Sequence, residues 1–170
     1  MNKESYRIRL ATKADCPFLA DVKLAAWETT YRGIYPDYKF DEYDKEKQTK
    51  KFEAFVDDPD NDLFVAESKN GKIVGYMSCG KPRYPYADYE QEIGMLYLLK
   101  ECRGQGLGRR FFEKAVEQFK SRGYNRFFIS CNKYNVPAQH FYLAMGGIID
   151  AVDPDNEDHS VPQVKFVYKI

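Results

Sequence analysis

The feature that most constrains this chain is a glycine-rich turn, Arg103-Gly104-Gln105-Gly106-Leu107-Gly108, set between two differently patterned segments. Ahead of it runs Ile93-Gly94-Met95-Leu96-Tyr97-Leu98-Leu99, apolar enough for a central strand. Behind it Leu107, Phe111, Phe112, Ala115, Val116 and Phe119 recur at helical spacing, up to Lys120. A strand that ends in a glycine turn and opens directly into a helix makes an anion site. The first N–H groups of a helix have no partner within it, and the helix dipole places partial positive charge there. Glycine lets the backbone close around a phosphate without side-chain clash. A pyrophosphate-bearing ligand is therefore expected at this turn.

Two common phosphate loops do not fit. A P-loop needs Lys-Ser or Lys-Thr after its last glycine, and neither pair follows here. The dinucleotide fingerprint needs Gly-x-Gly-x-x-Gly, but counting from Gly104 or Gly106 puts Arg109 or Phe111 at the third glycine. A protein that uses this turn for ATP or NAD is thereby disfavoured.

The rest of the chain reads as one domain, residues 1–170, long enough for a sizeable core. Basic and acidic residues balance at 26 each, so no global field favours nucleic acid or a membrane surface. No run of eighteen apolar residues and no apolar leader appears, so neither a membrane span nor a secretory signal is expected. The four cysteines, Cys16, Cys79, Cys102 and Cys131, lie far apart without a Cys-x-x-Cys pair. That argues against a zinc site or a disulfide framework and fits a reducing cytoplasm. With 14 tyrosines in the chain, several are expected to line a pocket and most to pack half-buried.

Periodicity supplies the elements. Tyr6 to Leu10 alternates as a first strand. Thr12-x-x-Asp15 resembles a capping box, and Phe18, Leu19, Val22, Ala25 and Ala26 then share a helical face until Gly33 and Pro36 break it. Asp41 to Val56 predicts a second helix with Phe52, Phe55 and Val56 inward. Leu63 to Glu67 and Ile73 to Met77 flank Asn70-Gly71, a hairpin signal. Lys81 to Ala87 is a proline-tyrosine loop ahead of a strand from Glu90 to Leu99. After the Leu107 helix, with Gly123 as its stop, come a strand from Asn125 to Cys131 and a short helix capped by Asn135 and running to Met145. Strands from Gly147 to Val152 and Gln163 to Lys169 close the chain across an acidic loop.

Three stretches resemble the GNAT superfamily, the GCN5-related acyl-CoA N-acyltransferases. Arg103-x-x-Gly106-x-Gly108 resembles its motif A. Asn135-Val136-Pro137-Ala138-Gln139-His140-Phe141-Tyr142 matches Asn-x-x-Ala-x-x-Phe-Tyr, with Gly146-Gly147 at the expected offset. Ala26 to Pro36 is similar to the first-helix and loop segment of one subgroup. The resemblance implies an α/β (α+β) fold: a mixed, mostly antiparallel central sheet with helices on both faces, in the order βααβββαβαββ. It implies acetyl-CoA as co-substrate and no metal. The cofactor would be held by Leu98, Leu99, Arg103, Gly104, Gln105, Gly106, Leu107, Gly108, Arg109, Asn135 and Tyr142. Backbone groups at Leu98 would bond the pantetheine arm like an added strand.

The reaction so implied is attack of an amine on an acetyl thioester. It needs a held thioester, a deprotonated amine, a stabilised oxyanion and a proton for the departing thiolate. Tyr142 is the expected acid, since a phenol with a pKa near about 10 is protonated at neutral pH. Glu92 is the expected base, acting through water, with an ordered water and backbone carbonyls as the fallback. Cys131 has no base cue nearby and reads as a buried thiol rather than a ping-pong nucleophile. His140 reads as helix surface, and His159 has no nameable partner. The acceptor wall would be Trp27, Tyr31 and Tyr35 on one side and the acidic loop, chiefly Asp155 and Glu157, on the other. Aromatics with carboxylates suit a polyamine or another small cationic amine. A peptide or ribosomal-protein N-terminus is the alternative acceptor, a silent acyl-CoA-binding regulatory module is the alternative function, and a homodimer is left open.

Overall fold

The computed structural model describes residues 5–170. The chain forms strands β1 (Arg7–Leu10), β2 (Asn61–Glu67), β3 (Ile73–Gly80), β4 (Glu92–Leu98), β5 (Arg126–Asn132), β6 (Ile148–Val152) and β7 (Gln163–Lys169). Its helices are α1 (Cys16–Tyr31), α2 (Tyr38–Asp41), α3 (Lys45–Asp57), α4 (Leu107–Ser121) and α5 (Val136–Ala144). One seven-stranded sheet runs in the order β1-β2-β3-β4-β5-β7-β6. Every neighbouring pair is antiparallel except β4 with β5. The mixed, mostly antiparallel sheet is the expected one. The expected helix order holds with one addition, the single turn α2, because Asp44 caps the longer helix by accepting from Lys47 N–H at 3.0 Å and so starts it at Lys45, four residues after α2 ends.

Adjacent residues on β3 show that both faces of the sheet are covered. Tyr76 meets Phe52 of α3 edge-on at 5.1 Å, while a Cβ on Gly75 would lie 3.5 Å from Phe111 of α4. Successive side chains on a strand point to opposite faces, so α3 and α4 pack on opposite sides. All eight residues of β3 are buried accordingly. The Thr12–Asp15 box is present: Asp15 accepts from Thr12 N–H at 2.8 Å and from Arg9 at 2.7 and 2.9 Å. The face of α1 differs from the expectation. Its inward residues are Cys16, Leu19, Ala20, Val22, Ala26 and Tyr31, whereas Phe18 is 59% exposed and Ala25 is exposed too. Phe18 and Ala25 lie seven residues apart, so they share a stripe of their own on the solvent side.

The parallel pair positions the site. β4 and β5 are in register only at Glu92↔Phe128 and Ile93↔Ile129. From Gly94 onward β4 stays with β3 while β5 stays with β7, and a gap opens between the two central strands.

Candidate active site

The gap leaves one edge of β4 open inside the sheet. Leu99 N–H donates to Val74 O at 2.9 Å, so Leu98 and Gly75 form a non-hydrogen-bonded pair. The N–H and C=O of Leu98 therefore point away from β3 into the gap, and by the two-residue period so do those of Leu96. The gap continues into a groove of about 1620 Å³ that runs from the glycine turn to the loop after β3. Such a groove takes an extended amide-bearing chain as an added strand.

At one end stands the turn into α4. Gly104 and Gly106 hold φ of +74° and +83°, a region that favours glycine, and a Cβ on either would meet nothing within 4 Å. The turn is thus an open cradle at a helix N-terminus. Gly108 sits in the first turn of α4, where a Cβ would press on Phe141 of α5 at 3.2 Å. Gly104, Gly106, Gly108, Arg103 and Arg109 line the groove. Leu99, Gln105 and Leu107 do not. Leu99 and Leu107 are buried, and the Gln105 amide donates back to Glu101 O at 2.9 Å. What Leu107 offers the cradle is its main-chain N–H in the first turn of α4. The Arg103 guanidinium folds over the strand end, donating to Leu98 O at 3.0 and 3.1 Å and to Thr29 and Thr30 of α1 at 3.1 and 3.3 Å.

Midway along the groove α5 contributes Tyr142 and Asn135. Asn135 accepts from Ala138 N–H at 3.3 Å as the helix cap and donates to the Tyr31 hydroxyl at 3.2 Å. Tyr142 is buried between Phe141 and Phe166 and forms part of the groove wall. Its main-chain O accepts from Tyr168 Oη at 2.8 Å and from Gly147 N–H at 3.0 Å, which fixes the end of the helix. Burial pushes the Tyr142 phenol well above its ordinary pKa, so it keeps its proton at neutral pH. Burial also pushes the neighbouring Cys131 thiol up to about 12. A thiol so protonated is a poor nucleophile.

The groove wall also includes Glu92, Ser78, Ser130 and Lys165. The Glu92 carboxylate accepts from Arg83 N–H at 3.0 Å, and desolvation raises its pKa above the ordinary carboxylate value. Lys165 Nζ donates to Ser130 Oγ at 2.6 Å. The sequence reading did not pick out Lys165 or Ser130. Their signal was a polar residue facing the groove in each of two strands whose other face is buried.

The expected acceptor residues are not all brought together. Tyr31 and Tyr35 line the groove, stacked at 4.1 Å and 7°. Trp27 does not. It packs behind them, edge-on at 5.7 and 5.2 Å, with Lys23 Nζ 4.7 Å from its ring. Asp155 and Glu157 are exposed and lie outside the groove wall. The physical reason for Asp155 is local, since its carboxylate is taken by Lys133 at 3.0 Å and by the Tyr134 hydroxyl at 2.8 Å. His159 lies tilted against Tyr134 at 4.5 Å, and His140 is exposed. All four cysteines are free and buried. Among the described residues no helix is long and apolar enough to cross a membrane, and no His/Cys/Asp/Glu cluster is placed to hold a metal ion.

Comparison with known proteins agrees with this geometry. The family model described as "Acetyltransferase (GNAT) family" matches residues 24–146. An uncharacterized N-acetyltransferase of Bacillus subtilis, YuaI, is 29% identical over 142 residues, covering 81% of this chain and 77% of its own. An uncharacterized N-acetyltransferase of Archaeoglobus fulgidus is 27% identical over 139 residues, covering 81% and 89%. Among solved structures, the PaiA N-acetyltransferase of Thermoplasma acidophilum, in complex with coenzyme A, superposes with a TM-score of 0.80 at 20% identity over 98% of this chain and 99% of that one. The yncA protein of Salmonella typhimurium, solved with its cofactor acetyl-CoA, gives 0.72 at 18% identity over 97% and 94%.

Proposed function

The chain belongs to the GNAT acetyltransferase family, and on that premise we propose that it moves the acetyl group of acetyl-CoA directly to a primary amine. The observation that carries the proposal is the groove itself. One continuous cleft joins a helix N-terminus built on glycines, an unpaired strand edge and a protonated buried phenol. The residues fit the co-substrate. The cradle at Gly104, Gly106 and Gly108 suits a pyrophosphate. The open N–H and C=O groups of Leu96 and Leu98, with Asn135 across from them, suit the amide-bearing arm. Leu98 O is shared with Arg103, so the Leu98 N–H and Leu96 are the freer contacts. Acetyl-CoA supplies the activated acetyl group and a thiol as its leaving group.

The protein's own groups supply the protons. Tyr142 Oη carries the proton that a departing thiolate needs, and its depth in the wall keeps bulk water from competing. Glu92 is the base that takes the proton from the acceptor ammonium, directly or across one water. Its raised pKa brings it nearer to that of the amine. Direct transfer follows from Cys131, the one thiol lining the groove among the described residues. It is held protonated and makes only weak, long contacts, to the carbonyls of Asn132 and Asn135. A silent acyl-CoA-binding module would have no use for a phenol beside the strand edge.

Acetyl-CoA turnover against polyamines, amino acids, aminoglycosides and peptide N-termini tests the reading. At least one amine should be acetylated. Tyr142→Phe should lower kcat about 10²-fold or more while the affinity for acetyl-CoA holds. Tight binding of acetyl-CoA with no acetylated product from any amine would identify a binding module instead.

A further inference from the structure

We propose that Lys165 anchors a carboxylate on the acceptor, so that the preferred acceptor is an amino acid or amino-acid-like amine rather than a polyamine. The inference rests on the acetyl-transfer reading for the position of the reacting amine. Its starting point is a misfit. Lys165 lies in the middle of β7 between Val164 and Phe166, which are 2% and 0% exposed. It pairs with Ser130 of β5 and so projects on the opposite face from them, into the groove. A lysine on such a strand ordinarily carries its ammonium out to water. This one turns inward. Its Nζ donates to Ser130 Oγ at 2.6 Å and stands 5.4 and 5.6 Å from the ring centroids of Tyr86 and Phe128.

The ammonium is left without an ion pair. No carboxylate among the described residues lies within 4.0 Å of it, although Glu92 and Asp153 are near enough to feel its charge. An ammonium has three donors, and Ser130 takes one. A partly desolvated cation with donors to spare is costly unless a counter-charge fills the place. Desolvation accordingly lowers the Lys165 pKa.

Position decides which anion. Glu92 is in register with Phe128, so the next residue on the same face of β5 is Ser130, the residue that Lys165 reaches. The ammonium is thus held over β5 at the level where β4 and β5 stop pairing, across the gap from the open edge of β4, where the acceptor amine must lie. An α-amino acid carries both groups on one carbon, so an acceptor whose amine lies at that edge can turn its carboxylate toward the ammonium. A polyamine would bring a second cation to the same place. The rim agrees: Lys81 and Arg83 line this end as well. Asp58 and Asp60 line it too, but the Asp58 carboxylate is occupied by Asp60 N–H and Asn61 Nδ2 at 2.9 Å each.

The test compares matched acceptors: a neutral aliphatic amino acid, its amide and its decarboxylated amine, with a diamine as the cationic case. Native protein should acetylate the amino acid with kcat/KM at least tenfold above the other three. Lys165→Met should raise KM for the amino acid at least tenfold and leave KM for the decarboxylated amine within about twofold, whereas Lys165→Arg should keep most of the preference. Calorimetry of the same compounds on the coenzyme A-loaded protein gives a readout that needs no turnover. Lys165-dependent binding of the amino acid without acetylation would sink the transfer reading and leave the anchor standing. Equal kcat/KM across the set, a preference for the diamine, or a preference that survives in a folded Lys165→Met variant would overturn the anchor.

Discussion

Gly147→Ala is the sharpest test of how the α5 end holds Tyr142. A Cβ at Gly147 would stand 2.6 Å from Tyr168 Oη, 2.8 Å from its Cζ and 2.9 Å from Tyr142 O. The phenol cannot retreat freely, since the Tyr168 ring is stacked on Phe127 at 4.7 Å and 3° and meets Phe112 at 5.1 Å. The methyl must therefore displace the Tyr168 hydroxyl and break its 2.8 Å bond to Tyr142 O. Overpacking costs about 1–3 kcal/mol and the lost hydrogen bond about 0.5–1.5 kcal/mol. The expected destabilisation is thus about 2–4 kcal/mol, or roughly 4–16 °C in Tm for a domain of this size. Urea unfolding of Gly147→Ala, Tyr168→Phe and the double variant separates the terms. Tyr168→Phe alone should cost about 1 kcal/mol. Because it removes the closest clashing atom, the double variant should be more stable than the sum of the singles by about 1 kcal/mol. Additivity within about 0.5 kcal/mol, or an unchanged Tm in Gly147→Ala, would refute the argument.

Other consequences follow from the same geometry. Gly106→Val forces a β-branched residue to φ +83° at the N-cap of α4 and should weaken acetyl-CoA binding at least tenfold, about 1.4 kcal/mol, by calorimetry on folded protein. If Glu92 is the base, kcat/KM must fall as the pH drops through its carboxyl pKa. Desolvation raises that pKa, so the acid limb should lie above the ordinary carboxylate range and vanish in Glu92→Gln; a limb unchanged in that variant assigns it to another group. Cys131→Ser should retain most of kcat, and acyl-enzyme should be undetectable by intact mass in native protein, because the thiol is held protonated. Asp155→Asn with Glu157→Gln should leave the amine KM within about twofold at low salt, since neither side chain lines the groove; a KM that climbs with loss of these charges would return the loop to the acceptor site.

Much of the site was legible because its signals are local. The left-handed region favours glycine, so Gly104 and Gly106 mark the cradle directly. Asn135 announces its helix because a cap has a fixed chemistry, and Asn70-Gly71 announces its hairpin for the same kind of reason, with Gly71 at φ +78°. Orientation was less legible. Trp27, Tyr31 and Tyr35 share one short segment, yet only the tyrosines reach the groove, because the indole packs behind their rings. The acidic loop was located in sequence, but which carboxylate is free depends on Lys133, twenty-two residues upstream of Asp155. The separation of β4 from β5 was expected only through the family resemblance, since register is a property of the pair and neither strand's own pattern marks where pairing stops.

That separation ties chemistry to fold. A sheet ordinarily satisfies its central strands on both sides, and unpaired N–H and C=O groups in its middle are costly unless something fills them. Here two ladder pairs, Glu92↔Phe128 and Ile93↔Ile129, hold β4 and β5 together at one end. Past them the rest of β4 keeps its edge unpaired, open to a ligand on the proposed reading. Arg103 occupies Leu98 O, tying α1 to the strand end through Thr29 and Thr30. The groove that includes this open edge and Tyr142 also includes Glu92, Ser130 and Lys165. On the proposed reading cofactor and acceptor meet end to end, because the position at which two strands stop pairing sets the point at which both ligands must arrive.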